Sequence, residues 1–331
     1  MLRMGPLYAA PVTTPPWWIR LTRGRRHERG AKAMTDLVQL ASSGLALGAI
    51  YALIALGFVA IYRASKVFNF AHGDLLAFGA FAMVAASGIG LPWPLALLAA
   101  MLATGLLAMG VERVILRPLV GRPVFVTVIL TIFVGYLIRT AILLIWGSNP
   151  RGMPTPWEPT ATVEILGAKV LLGSLAALAG AALALIAYFL LMRFAKLGLA
   201  MRAASADQES ALALGIPVGR TLGLTWLIAG MLAALAGTFL GMFPRQVEVN
   251  LAFVALAAFP AVLVGGLESA LGAVVAGLLL GLLQVLAQAY VNPLLGHFGH
   301  NFHMVFPYIV MIIFLIFRPY GLFGEAEVKR V

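Results

Sequence analysis

Asn69, His72 and Asp74 fall within the six-residue stretch Asn-Phe-Ala-His-Gly-Asp, and together they offer an amide, an imidazole and a carboxylate. On both sides the sequence is almost purely Ala, Leu, Val, Phe and Gly. Polar groups are expensive at membrane depth, so they need a cavity, a partner or a task there. The stretch is therefore the first candidate for the lining of a substrate path. A plainer reading stands beside it. His72 and Asp74 can hold a helix break at Gly73, and Asn69 can cap the helix that follows.

Other polar residues lie inside apolar runs. Gln284 and Gln288 lie near the stripe Ser269, Ala273, Gly277 and Gly281, which recurs every four residues. Small residues at that spacing let two helices approach closely, inside one chain or between subunits. Gln284 joins the path candidates. Arg139, inside the fourth run, either snorkels to an interface, pairs with a carboxylate or touches a solute. His297, His300 and His303 form a Gly-rich cluster without a nearby carboxylate, and no metal site is read from them. No nucleophile–base pairing appears, so no catalytic residue is assigned. Cysteine is absent, which excludes disulfides and thiolate chemistry.

The elements that position these residues follow from composition. Apolar residues make up 62% of the 331, charged residues only 11%, and the mean hydropathy is +1.00. Soluble domains carry about 25% charged residues. Apolar runs cover roughly 37–62, 68–88, 92–116, 124–146, 169–192, 222–243, 252–265, 270–291 and 303–317. Their continuity and length are those of spanning helices rather than of barrel strands. The expected fold is an all-α polytopic membrane protein, a bundle of 8–9 transmembrane helices. The short 252–265 run, with Pro260 before Gly265-Gly266, is expected to be broken or re-entrant.

The net charge of +11 comes from basic residues at the ends of apolar runs, a membrane-orientation pattern rather than a nucleic-acid footprint. Arg113, Arg117 and Arg122, then Arg193, Lys196, Arg202 and Arg220, then Arg318, Lys329 and Arg330 mark cytoplasmic connections. The 147–168 loop reads as external. Residues 1–33 carry seven basic residues against Glu28 and lack the apolar core of a secretory signal. Two readings stay open for them: a basic disordered tail on anionic lipid, or an overlong start before a natural Met34. The transmembrane bundle is expected over 34–324 and a cytoplasmic tail over 325–331.

The 193–220 connection holds a short helix at about 206–214. Ser205 and Gln208 suggest a capping box, Asp207 and Glu209 suit the first turn, and Gly215 and Pro217 end it. Such a helix is too short to stand alone. With Ala211, Leu212 and Leu214 it suits docking in a partner's groove, or packing on its own bundle.

At this point the residues resemble a known family. Gly48 to Gly57, Val67 to Asp74, Glu112-Arg113 to Arg117-Pro118, Met201-Arg202-Ala203 to Leu214-Gly215-Ile216, and Phe317 to Gly324 look like the permeases of branched-chain amino acid ABC transporters, most like the LivH-type subunit. The resemblance covers about 37–324. It implies import of branched-chain or related small hydrophobic amino acids by ATP-driven alternating access in a bacterial inner membrane. It further implies a second related permease, two ATPase subunits and an extracytoplasmic substrate-binding protein as partners. No cofactor is expected on this chain, because it lacks the Gly-rich phosphate loop and ATP would be bound by the ATPase subunits. The coupling loop would comprise Arg202, Asp207, Glu209, Ala211, Leu214 and Gly215. The importer pattern is Glu-Ala-Ala, three residues, then Gly; here Glu209-Ser210-Ala211 is followed by Gly215, with Ser in the middle place. Importers of urea and short amides share the resemblance, and an ion-coupled secondary transporter is the rival from another class.

Overall fold

A computed structural model describes residues 17–119, 122–242 and 244–324, with side chains from Met34 onward except those of residues 208 and 298. The readings for 1–16 and 325–331 lie outside the described residues. The chain forms α1 (Trp17–Ser65), α2 (His72–Gly88), α3 (Trp93–Val111), α4 (Val124–Trp146), β1 (Thr162–Ile165), β2 (Ala168–Leu171), α5 (Leu172–Phe194), α6 (Lys196–Ala206) and α7 (Gln208–Ala213). It continues through α8 (Val218–Leu240), α9 (Leu251–Ala257), α10 (Phe259–Gly265), α11 (Ala270–Leu286), α12 (Asn292–Leu294) and α13 (Phe302–Phe317).

Among the described residues, six helices are long and apolar enough to cross a membrane: Met34–Ser65, Trp93–Leu119, Val124–Trp146, Leu172–Phe194, Val218–Leu240 and Ala270–Leu294. The other three apolar runs form shorter helices. α2 starts only at His72, because Val67–Asn69 carry no helical turn. The 252–265 run is two seven-residue helices, α9 and α10, meeting at Ala258. α13 has 16 residues, about 24 Å at 1.5 Å per residue, against a hydrocarbon core of about 30 Å.

α1 is the central post. Leu53, Ile54, Ala55 and Leu56 are fully buried in it. Its closest neighbour is α11, and glycine makes that approach possible. A Cβ on Gly277 would lie 2.7 Å from the backbone nitrogen of Ala52, and one on Gly281 would run into the backbone of Gly48. The small-residue stripe is thus internal packing. Ser269 opens α11 by accepting from the Gly272 N–H at 3.0 Å. Gln284, further along the stripe, is buried and accepts from the Tyr51 hydroxyl at 2.7 Å.

One element departs from the all-α expectation. β1 and β2 pair as an antiparallel hairpin in the 147–168 loop and its edge. The turn needs positive φ at both Leu166 (52°) and Gly167 (81°), the geometry that suits the twist of a two-residue hairpin. Ala168 and Val170 turn inward while Lys169 turns out. The run Thr-Val-Glu-Ile-Leu-Gly-Ala-Lys-Val-Leu carries that alternation in the sequence, masked by its length and by a leucine at a left-handed position.

Candidate functional site

Thr131, Gly135 and Arg139 share one face of α4. At 1.5 Å per residue Arg139 lies about 22 Å along the helix from Val124, and about 10 Å from Trp146. Each of these positions meets the Asn69–Asp74 segment. The Phe70 N–H donates to Thr131 Oγ1 at 3.2 Å. The Asp74 carboxylate sits over Gly135, where only hydrogen leaves room. Arg139 Nε donates to Asp74 Oδ1 at 2.9 Å. The unwound segment therefore lies at mid-length of a spanning helix. Irregular backbone at that depth is tolerated where protein or a cavity surrounds it.

The segment is held internally too. Asn69 Oδ1 accepts from the Ala71 N–H at 3.1 Å, and its own carbonyl accepts from the His72 N–H at 3.2 Å. This is a turn just ahead of α2 rather than a cap on it, since the residue before α2 is Ala71 and makes no side-chain cap. Asn69 Nδ2 is buried without a partner among the described residues. His72 is fully buried against Phe58, ring centroids 4.6 Å apart, in space opened by Gly57. Among the described residues neither ring nitrogen makes a hydrogen bond of normal geometry, although the Ile54 carbonyl is a neighbour. His72 and Asp74 do not pair with each other; Asp74 takes Arg139.

A cavity of about 220 Å³ opens in front of the pair. Its wall includes Phe58, Phe70, Tyr136, Phe253 and Leu256 beside Asp74 and Arg139. The Asp74 side chain is 9% exposed and that of Arg139 22%. The guanidinium lies 4.5 Å from the Phe253 ring centroid and 5.7 Å from that of Tyr136. A charge pair in an otherwise apolar hollow is the arrangement that fixes the orientation of a small solute. Gln284 does not line this cavity. A second cavity, about 250 Å³, lies near the start of α4 and is lined by Glu112, Arg117, Arg122 and Thr127. Its Arg117 is already committed: Nε and Nη2 donate to the two oxygens of Glu112 at 3.0 and 2.7 Å, and Nη2 also to the Gly219 carbonyl at 2.5 Å.

The coupling-loop candidates gather on one short hairpin of helices. α5 and α6 turn sharply at Ala195, and Gly198 lies where a Cβ would meet the Leu191 and Met192 carbonyls at 2.5 Å. Arg202 donates to the Met192 carbonyl across this bend. The expected capping box is corrected: Ser205 Oγ donates back to the Arg202 carbonyl, and Asp207 is the cap. Asp207 Oδ1 accepts from Glu209 N–H at 2.9 Å and Ser210 N–H at 3.3 Å, and Oδ2 from Ser210 Oγ at 2.5 Å. A carboxylate one position before the helix reaches those N–H groups more directly than a serine two positions further back. These bonds, the Ser210 hydroxyl foremost, hold the Asp207 carboxyl below its ordinary range. α7 ends with Gly215 at φ 80°, its N–H bonded to Leu212 and that of Ile216 to Ala211, a left-handed C-terminal motif that satisfies the last carbonyls. Ala211 packs inward on Ala64, Ala204, Val218 and Leu222. Leu212 and Leu214 point outward, 58% and 80% exposed, and Glu209 is exposed beside them.

Asn69, His72 and Asp74 thus share one segment, Gln284 belongs to the α1–α11 contact, and the loop residues form a separate outward surface. Gly135, Tyr136 and Phe253 were not singled out in the sequence. Arg139 carried the one usable signal, a lone charge in the middle of an apolar run.

The chain is 29% identical over 302 residues to the high-affinity branched-chain amino acid transport system permease protein LivH of Salmonella typhimurium, covering 87% of this chain and 96% of that one. The LivH protein of Escherichia coli (strain K12) and BraD of Pseudomonas aeruginosa match at the same identity and coverage. No solved structure matches the chain. The family model for the branched-chain amino acid transport system permease component matches residues 40–315. By that match, which spans most of its length, the chain belongs to the branched-chain amino acid transport permease family.

Proposed function

We propose that the chain is one of two permease subunits of an ABC importer in a bacterial inner membrane, moving branched-chain amino acids inward by ATP-driven alternating access. A second related permease, two ATPase subunits and an extracytoplasmic binding protein complete the system. The observation that carries this reading is α7. A six-residue helix with its own cap, its own left-handed terminator and two leucines facing outward is built to be held by another protein. The energy then comes from that partner.

Connectivity supports nine passes, with α9 and α10 together as a broken one. Lys66 pairs with Glu268 at 2.5 Å, and the Leu322 N–H bonds the Val264 carbonyl, so the ends of α1 and α10 and the segment after α13 meet. Arg151 pairs with Val247 in a β-bridge, and Trp93 Nε1 donates to the Pro154 carbonyl, so another set of loops meets elsewhere. The two sets alternate along the chain. The first set shares its side with Arg117, Arg122, Arg193 and Arg318, and that basic excess supports the cytoplasmic side for it.

The ion-coupled rival needs an intramembrane carboxylate free to take up a proton or cation. Asp74 and Glu112 each face an arginine. The test is Gly215→Leu, which forbids the left-handed terminator. The substitution should abolish ATPase association and uptake while the permease still reaches the membrane. Unchanged association, or uptake driven by a proton gradient alone, sinks the reading.

A further inference from the structure

We propose that the Asp74–Arg139 pair recognises a zwitterion. Arg139 takes the α-carboxylate and Asp74 the α-ammonium, with the aliphatic chain against Phe70, Phe253 and Leu256. This deepens the permease reading and rests on it.

The first ground is unused bonding capacity. Arg139 gives Asp74 only its Nε, and Asp74 receives it on Oδ1 alone. Nη1, Nη2 and Oδ2 have no further hydrogen bond among the described residues. The Glu112–Arg117 pair shows the contrast, with two parallel bonds to one carboxylate and a third to a carbonyl. A guanidinium with both terminal nitrogens free presents the fork that a second carboxylate fits. Asp74 Oδ2 rests against Gly135, and its remaining lone pair is the acceptor left for an ammonium.

The second ground is position. The pair is the charged part of the cavity, and the rest of the named wall is aromatic or aliphatic. A ligand with one charge of each sign at one end and a short apolar chain at the other matches that division. The volume of about 220 Å³ is below the range of drug-sized pockets, roughly 300–1,000 Å³. A neutral solute such as urea or a short amide satisfies neither charge, so the pair discriminates against it.

The chain's lack of cysteine makes a direct test clean. Leu256→Cys places one thiol on the cavity wall, and its rate of modification by a thiol reagent is followed on this chain. The preparation is washed membranes that hold both permeases and the ATPase subunits, without the soluble binding protein. Leucine at ten times its half-protecting concentration should slow labelling about tenfold. Isovaleramide, which keeps the branched chain and lacks both charges, should slow it by less than about twofold at the same concentration. The double variant Asp74→Asn with Arg139→Gln strands neither charge, and it should lose the leucine protection. Arg139→Lys keeps a charge and loses the fork; it should weaken leucine protection about tenfold, and it serves where the double variant fails to reach the membrane. Equal protection by both compounds, or leucine protection that survives these substitutions, overturns the zwitterion assignment and leaves the cavity as path. Protection by neither compound, while intact cells with the same Leu256→Cys chain still take up leucine, overturns the cavity as path and the assignment with it.

Discussion

The Asp74 carboxylate of α2 occupies the space in which a side chain at Gly135 of α4 would begin. One turn further on, Arg139 reaches the same carboxylate from the same face. The glycine is thus what lets α2 and α4 share a charge pair at membrane depth. Gly135→Ala should push Asp74 off its arginine at an overpacking cost of about 1–3 kcal/mol. Leucine uptake should fall about tenfold or more with normal protein levels. Gly110→Ala, where nothing lies within 4 Å, should leave uptake unchanged. Equal uptake by the two variants would remove the glycine from the argument.

Much of this arrangement is legible in the sequence, and the limit is a physical one. The Asn69–Asp74 segment stands out because polar residues in an apolar run need a reason, and α7 stands out because its cap and terminator are local. Long-range partnership leaves no local mark. Nothing near Asp74 names Arg139, 65 residues away, and nothing near Gln284 says that Tyr51, 233 residues away, will claim it. The capping box failed for a local reason. Two carboxylates and two serines crowd the start of α7, and the charged acceptor nearest the N–H groups won.

The α1–α11 contact should be the least forgiving in the bundle. Gly281 meets the backbone of Gly48, and backbone cannot rotate away as a side chain does. Gly281→Leu is expected to cost at least the upper end of the usual overpacking range, about 3 kcal/mol. Membrane levels of the chain should collapse at ordinary growth temperature. Gly88→Leu, at an open position, should behave as wild type. The readout is the amount of folded chain recovered in mild detergent.

Asp207 gives the proposed docking surface a defined pH response. Its carboxyl is held below the ordinary range by bonds from Ser210 and Glu209, so folding favours its charged form. The cap's contribution is complete above the ordinary aspartate value of about 3.9 and is lost as pH falls through the depressed folded value. ATPase association should therefore be flat, as far as this group governs it, from about pH 5.5 to 8. Asp207→Ala should weaken association across that whole range, while Asp207→Asn, still a good cap, should keep most of it. Association measured by co-purification against pH checks both. A steep Asp207-dependent change near neutrality would contradict the assignment.

Glu112 and Arg117 should respond unequally to mutation although they form one pair. The Glu112 side chain is 4% exposed and that of Arg117 35%. Removing the arginine leaves a buried carboxylate without its counter-charge, a loss of about 3–5 kcal/mol for such pairs. Removing the carboxylate leaves an arginine that can turn towards water and still hold the Gly219 carbonyl. Arg117→Leu should therefore destabilise the chain more than Glu112→Gln, by at least about 1 kcal/mol. The same arginine ties the end of the α3 region to the first turn of α8, just beyond α7. Its loss should accordingly weaken ATP-dependent uptake even in the fraction of chain that still folds, whereas Glu112→Gln should keep that tie. Thermal unfolding of the purified assembly, read beside uptake per folded chain, separates the two effects. Equal losses from the two substitutions would mean that the pair is solvated alike at both ends and that the Gly219 tie transmits nothing.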